Sequence, residues 1–226
     1  MDPVDRSHRF FVALLSHDIS NFNQTTRGYL EMLLGEQMGE ISEEQSRVLT
    51  TCLRQCQRVE SLIDGIRQLE RLEATPPQLE PIDLDDVSRQ AIESVQTELA
   101  DRDIRVRFSP GRRRALAEPY LLDLLRQLIG NAARHNDCEI VEVDLSFASQ
   151  DGDPPMWEIT VTDNGNGVPP AKKDSLFDRL ESGEVHGAGI GLSVARTLVR
   201  RWGGEIALAD TAEGEGASLV VRVPRA

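Results

Sequence analysis

The chain is poor in several things, and each shortage speaks against a class of function. Only Lys172 and Lys173 are lysines among 25 basic residues, and 38 acidic residues leave a formal net charge of −13 with a pI near 4.8. Aromatic residues make up 4%. A nucleic-acid surface needs a basic face and usually rings for stacking, so no nucleic-acid partner is expected. An anionic membrane surface would repel the chain for the same reason. The longest apolar run, residues 10–15, is six residues, whereas crossing a bilayer takes roughly 20. No basic segment followed by an apolar stretch and a cleavage site opens the chain. Three cysteines, an odd number, do not make a disulfide framework. These shortages predict a cytoplasmic chain without membrane contact of its own. What is present suffices for a packed core: 39% apolar residues over 226 positions, enough for one large or two small domains at roughly 100 to 200 residues each.

From residue 7 to about 34, Phe11, Leu15, Ile19, Phe22, Tyr29 and Leu33 recur at helical spacing, which predicts one long helix. Gly35 and Gly39 interrupt it, and Ser42-Glu43-Glu44-Gln45 is a capping box that starts a second helix. Val48, Cys52, Val59, Leu62, Ile66 and Leu69 then repeat at roughly 3.5 residues, the period of left-handed supercoiled packing. Two helices cannot bury both stripes, so a second copy completing a four-helix bundle is expected, a homodimer. Thr75-Pro76-Pro77 ends the helix and marks a boundary between domains 1–75 and 76–226. Beyond it the pattern alternates. Helices are expected near 84–99, 119–134 and 190–202, and strands near 104–109, 114–117, 140–148, 157–162, 205–209 and 218–223. That order predicts an α+β class with an α/β sandwich, a mixed sheet covered by helices on one face.

Ten of the 17 glycines fall between Gly165 and Gly216, where backbone contact with a ligand is therefore expected. Asp163-Asn164-Gly165-Asn166-Gly167 follows a predicted strand, and a carboxylate at such a turn can accept a hydrogen bond from an exocyclic amine. Gly187-Ala188-Gly189-Ile190-Gly191-Leu192 opens a helix whose N-terminus favours a phosphate. The glycines come too late and too closely spaced for a dinucleotide fingerprint, and no P-loop lysine signature occurs. Gln127-Leu128-Ile129-Gly130-Asn131-Ala132-Ala133-Arg134-His135-Asn136 places an amide oxygen on a helix, a donor type that Mg²⁺ accepts. In the first helix, His17 lies about 200° and 160° around from Leu15 and Ile19, hence toward solvent. A lone exposed histidine is ordinarily just a surface residue. Here Asp18 flanks it and Asn21 shares its face one turn on. An exposed imidazole can act as nucleophile, the carboxylate can take its proton, and the amide can position a water.

Taken in order, the Asn131 motif, the Asp163 motif and the Gly187 run resemble the N, G1 and G2 boxes of the Bergerat ATP-binding fold. Leu176-Phe177-Asp178-Arg179 resembles its F box, within a lid spanning 172–186. Ser16-His17-Asp18 through Gly28-Tyr29-Leu30 resembles the H box of sensor histidine kinases, whose dimeric helical hairpin precedes such a domain. The resemblance implies that the ATP γ-phosphoryl passes to His17 and then to an aspartate on the receiver domain of a response regulator. Asp18 then matches the acidic general base, and Asn21 matches the position that supports hydrolysis of the phosphorylated regulator, implying phosphatase activity as well. Asn131 would coordinate Mg²⁺ and Asp163 would bind the adenine amine. Gly165, Gly167, Gly187, Gly189, Gly191 and Leu192 would shape the nucleotide pocket, with Arg134 and His135 near the sugar or phosphates. Positioning and charge neutralisation would supply most of the catalysis.

The chain departs from the family pattern at three places. Ser20 stands where an arginine is frequent, and Phe22 where many members have a helix-bending proline. Gln127, four residues before Asn131, leaves no hydrolytic carboxylate, which disfavours a chaperone- or topoisomerase-type ATPase. The competing reading is a catalytically decayed phosphotransfer or scaffold dimer, against which the intact Asn131, Asp163 and G2 glycines speak. Cys52 and Cys56 read as core packing, since two thiols alone do not make a metal site. Arg112-Arg113-Arg114 reads as a solvated loop and His8 as a surface residue. His186, beside Gly187, is left open between a surface position and a phosphate contact.

Overall fold

The computed structural model describes residues 3–169, 173, 176–177, 191–211 and 216–226, with side chains described from residue 16 onward except at 73. The chain divides into two compact units, a hairpin up to Thr75 and an α/β unit from Pro76. Among the described residues no helix is long and apolar enough to cross a membrane.

Helix α1 spans Pro3–Leu34 and α2 spans Glu43–Ala74. Helix α1 begins earlier than the periodicity predicts, and Pro3 fits its first turn, where a missing N–H costs nothing. The turn takes Glu36 and Gly39 to positive φ, 57° and 115°. The capping box forms: the Ser42 backbone N–H donates to Gln45 Oε1 at 2.7 Å and the Gln45 N–H donates to Ser42 Oγ at 3.2 Å. Thr75 is extended, as the residue before a proline tends to be, and ends α2.

The hairpin's inner seam differs from the apolar stripe read in the sequence. Ile19, Phe22 and Tyr29 are exposed, Phe22 at 74%. The covered positions of α1 are shifted by one residue: Ser16 and Asn23 are buried, while Ser20, Arg27, Leu30 and Leu34 are half-buried. Steps of four and three relate all six, so two heptad stripes run side by side about 100° apart on one helix. On α2 the matching positions are Leu49, Leu53, Cys56, Glu60, Ile63 and Arg67. Polar groups hold this seam. Asn23 Nδ2 donates to the Cys56 carbonyl at 2.8 Å, and Arg27 pairs with Glu60 at 3.0 Å and with Glu31 on its own helix. On α1, counting apolar residues finds the neighbouring stripe because four of the six covered positions, Ser16, Ser20, Asn23 and Arg27, are polar. A buried polar seam is tolerated only when its groups are hydrogen-bonded.

In the second unit, β1 (Glu80–Asp83) pairs antiparallel with β3 (Arg114–Ala117). The main sheet has the order β2-β4-β5-β7-β6, from β2 (Asp103–Phe108), β4 (Ile140–Gln150), β5 (Met156–Asp163), β6 (Glu205–Leu208) and β7 (Ser218–Pro224). Only β2 and β4 run parallel among its pairs, so the sheet is mixed, as expected. Strand β1 was not predicted. It is short, carries Pro81 and shows no alternation, so it owes its existence to its pairing with β3.

Helices α3 (Leu84–Glu98), α4 (Leu121–Arg134) and α5 (Gly191–Arg201) supply the apolar cover. Val141, Val143 and Leu145 of β4 alternate with Glu142, Asp144 and Ser146, so one sheet face is apolar and the other polar. Against the apolar face α4 buries Leu121, Leu124, Leu125, Leu128 and Ile129, an amphipathic face in the sense of a 3.6-residue period. Two charged side chains, Arg102 and Glu118, brace this core. Arg102 gathers carbonyls at the end of α4, donating to Ala133, to Asn136 at 2.6 Å and to Cys138 at 3.4 Å. Glu118, itself buried, accepts from Arg201 at 2.8 Å, from the Trp202 indole at 2.9 Å and from the Gln78 backbone at 3.4 Å.

Candidate active site

Helix α4 sets the first wall of the candidate nucleotide site. Its core face is apolar, which leaves Gln127 and Asn131, one turn apart, half-buried on the flank. Gln127 Nε2 donates to Asn131 Oδ1 at 2.9 Å, fixing which way that amide faces. His135 closes the helix, its backbone N–H bonded to the Asn131 carbonyl at 3.1 Å. The Arg134 guanidinium folds over Gly130 and pairs with Glu98 of α3 at 2.8 Å. Any Cβ at position 130 would lie 2.8 Å from that guanidinium.

Asp163 ends β5, the second wall. Its Oδ1 accepts the backbone N–H groups of Gly165 at 2.8 Å and Ala217 at 3.3 Å. Among the described residues nothing donates to Oδ2. Three backbone segments converge here. Gly167 and Gly216 take φ of 74° and 82°; a Cβ on Gly167 would lie 2.9 Å from the Gly216 carbonyl oxygen, and one on Gly216 would overlap the Asp163 carbonyl at 1.8 Å. Glycine is obligatory at both.

A pair of amides that the sequence did not single out ties the two walls together. Asn136, 2% exposed, donates to Asn164 Oδ1 at 2.8 Å and accepts the Cys138 N–H at 2.9 Å. Asn164 in turn donates to the Ile140 carbonyl at 3.1 Å and accepts the Glu142 N–H at 3.0 Å. Both residues sit inside the quoted motifs, yet their role is to clip the end of α4 to the Asp163 turn. Gly165 is needed there as well, since a Cβ would crowd Asp163 Oδ1 at 2.9 Å and Asn136 Nδ2 at 3.2 Å. The only sequence signal was an amide at each of two turns, which also fits ordinary turn chemistry.

Gly191 and Leu192 open α5. Ser193, buried one position on, donates to the Phe177 carbonyl at 3.1 Å, linking the segment read as an F box to α5. Gly187 and Gly189, with Lys172, Asp178, Arg179 and His186, lie outside the described residues.

In the hairpin unit, the His17 side chain is 66% exposed and that of Asp18 56%. His17 lies about 100° around α1 from Ser16 of the covered seam and farther still from the apolar stripe through Ile19 and Phe22, so neither stripe covers it. Asp18 Oδ1 stands 3.2 Å from His17 Nδ1, and Asn21 Nδ2 is 3.4 Å from the same nitrogen. Both contacts fall on Nδ1. Nε2 has no partner among the described residues.

Two known families match the two units separately. Residues 7–75 match the His Kinase A (phospho-acceptor) domain, and residues 117–226 match the family described as histidine kinase-, DNA gyrase B- and HSP90-like ATPases. The chain belongs to the sensor histidine kinases. Among curated relatives of this kinase chain, the sensor protein CutS of Streptomyces coelicolor is 30% identical over 94% of the chain and 51% of CutS. The sensor-type histidine kinase PrrB of Mycobacterium tuberculosis is 27% identical over 96% of the chain and 48% of PrrB. The chain thus spans about half the length of these relatives. Among solved structures, full-length ShkA in complex with AMPPNP superposes with a TM-score of 0.63 at 25% identity, covering 95% of this chain and 45% of ShkA. The second unit is therefore a histidine kinase catalytic domain of the ATP-binding type. Phosphoacceptor domains of the first type dimerise and phosphorylate response regulators in general.

Proposed function

We infer that this chain is an ATP-dependent protein-histidine kinase that phosphorylates itself on His17 Nε2 and passes the phosphoryl group to an aspartate of a response regulator receiver domain. The observation that carries this reading is the arrangement at His17. Asp18 accepts the Nδ1 proton, which leaves the lone pair on Nε2, the nitrogen that faces solvent. As the Nε2–P bond forms, the bond from the γ-phosphorus to its bridging oxygen breaks and ADP leaves. Asp18 stabilises the positive charge that develops on the ring. In this tautomer Asn21 meets a protonated Nδ1, so its amide is available to place a water against a phosphorylated regulator, which supports phosphatase activity.

The catalytic domain, 76–226, would hold the nucleotide through its own groups. Asp163 Oδ2 accepts the adenine amine, and Gly165, Gly167, Gly191 and Leu192 admit the base and phosphates close to the backbone. Gly187 and Gly189 belong to the same run. His135 borders the pocket beside Asn131, and Arg134 reaches nucleotide oxygens by exchanging them for Glu98. Among the described residues no cluster of His, Cys, Asp or Glu could hold a metal ion. A single oriented amide oxygen, Asn131 Oδ1, instead fits Mg²⁺ that takes its other oxygens from phosphate and water. Bound Mg²⁺ would neutralise charge on the phosphates.

The hairpin, 1–75, serves as dimerisation and phosphoacceptor domain. Its exposed apolar stripe, Ile19, Phe22 and Tyr29 on α1 with Val48 on α2, suits a second copy in a four-helix bundle. That stripe faces away from His17, so dimerisation leaves the acceptor accessible. The chain acts in the cytoplasm, where ATP and regulator are available. Incubation with γ-labelled ATP and Mg²⁺ tests the core of this reading: acid-labile label should appear in the wild type and vanish in His17→Gln. Undiminished label in the variant would sink the assignment.

A further inference from the structure

Two arginines lie in the covered seam of the hairpin, and they are treated differently. Arg27 is neutralised by Glu60 and Glu31, whose hydrogen bonds and charges raise its pKa further. Arg67, projecting from α2, makes no ion pair among the described residues. Its Nη2 donates instead to the backbone carbonyl of Ser16, at 3.3 Å, the residue immediately before the acceptor histidine. Ser16 is 4% exposed and Arg67 half-buried, so this guanidinium is partly desolvated and its field is less screened than that of a surface charge. Ser20, the next position of the same seam on α1, is small and uncharged. It stands where an arginine is frequent in the H box, so here the guanidinium that reaches this turn comes from the opposite helix.

We propose that Arg67 is a positioning residue for phosphoryl transfer: it anchors the His17 turn across the hairpin through the Ser16 carbonyl and lends the phosphorylated histidine a positive charge that no ion pair takes up among the described residues. The inference rests on His17 being the acceptor. A phosphoryl group on Nε2 carries negative charge that the imidazole did not have, and a fixed cation near it stabilises the phosphorylated state relative to ATP. An arginine paired as Arg27 is contributes less, because the opposing charges of Glu60 and Glu31 weaken its field.

The test is the position of a reversible equilibrium. Labelled phosphohistidine plus ADP returns ATP as the N–P bond breaks and the β-phosphate oxygen of ADP takes the phosphoryl group. Wild type, Arg67→Met and Arg67→Lys are brought to equilibrium from both directions at fixed Mg²⁺. Arg67→Met should shift the ratio toward ATP by roughly five- to tenfold, and Arg67→Lys, which keeps the charge, by less than about threefold. Circular dichroism verifies that the helices are intact, and Arg67→Gln carries the same readout should the methionine variant not fold. An unchanged ratio without the charge overturns the proposal, as does an equal shift in Lys and Met. A wild type without label on His17 overturns both this inference and the reading beneath it, whereas a labelled wild type with an unmoved equilibrium overturns this inference alone.

Discussion

The hairpin and the catalytic domain spend their apolar residues in opposite ways. In the catalytic domain α4 turns its leucines inward onto the apolar strand face, and Leu121, Leu125, Leu128 and Ile129 are fully buried. In the hairpin the covered seam mixes Cys56 and Ile63 with Ser16, Asn23, Arg27, Glu60 and Arg67, while Phe22 and Tyr29 lie outside. One unit closes its core on itself. The other keeps its strongest apolar stripe for a surface that a single copy leaves open. An apolar stripe read from periodicity therefore says that something will cover it, without saying whether that is the same chain.

The largest expected difference follows from truncating the closed core. Leu128→Ala should cost the catalytic domain about 2–5 kcal/mol, because the site is fully buried and the helix cannot collapse into the gap. Leu53→Ala in the half-buried hairpin seam should cost clearly less. Urea denaturation of the two variants, followed by Trp157 and Trp202 fluorescence for the catalytic domain and far-ultraviolet circular dichroism for the helices, measures both. Similar losses would erase the contrast between the units.

Next in size is the Glu118 network, where the catalytic domain buries an ion pair rather than exposing it. Burial alone would raise the Glu118 pKa, but hydrogen bonds from Arg201, the Trp202 indole and the Gln78 backbone outweigh it and hold it below the ordinary 4.5. A carboxylate with a lowered folded pKa contributes stability that is fully present above its unfolded value. That stability is lost as pH falls through the folded value. Glu118→Gln should therefore cost about 2–3 kcal/mol at neutral pH. The gap between variant and wild type should narrow below about pH 4.5, near the unfolded carboxylate value. A gap that stays constant from pH 7 to pH 3 would show that the charge on Glu118 is not what matters.

How much of this was legible in the sequence depended on whether a residue's role is local. Helix α4 and strands β4, β5 and β7 were read to within about two residues, because long amphipathic patterns determine both element and face. The Ser42 capping box was readable for the same reason, all its partners lying within one turn. Strand β1 was not, since only β3 makes it a strand. The Asp163 turn and the Asn131 helix were recognisable by residue type and order. The Asn136–Asn164 clip that joins them spans 28 positions and shows no spacing signal. Arg67 was invisible for a similar reason: its partner, the Ser16 carbonyl, is backbone and lies 51 positions away.

The smallest effect tests the open surface itself. Phe22 is 74% exposed in one copy, so replacing it by glutamate removes little packing within the hairpin. If a second copy covers the stripe, each buried phenylalanine contributes about 1.5–3 kcal/mol to association, and a carboxylate there must either be desolvated or hold the copies apart. Phe22→Glu should then leave the catalytic domain's unfolding midpoint unchanged while lowering the sedimentation mass of the chain from dimer toward monomer at micromolar concentration. Helix content of the hairpin should become dependent on protein concentration, because its stability is linked to association. A variant that sediments like the wild type would mean that the stripe is not the dimer seam. The exposed rings would then need a different occupant, and the contrast between a self-sufficient domain and one completed by its copy would fail at the hairpin.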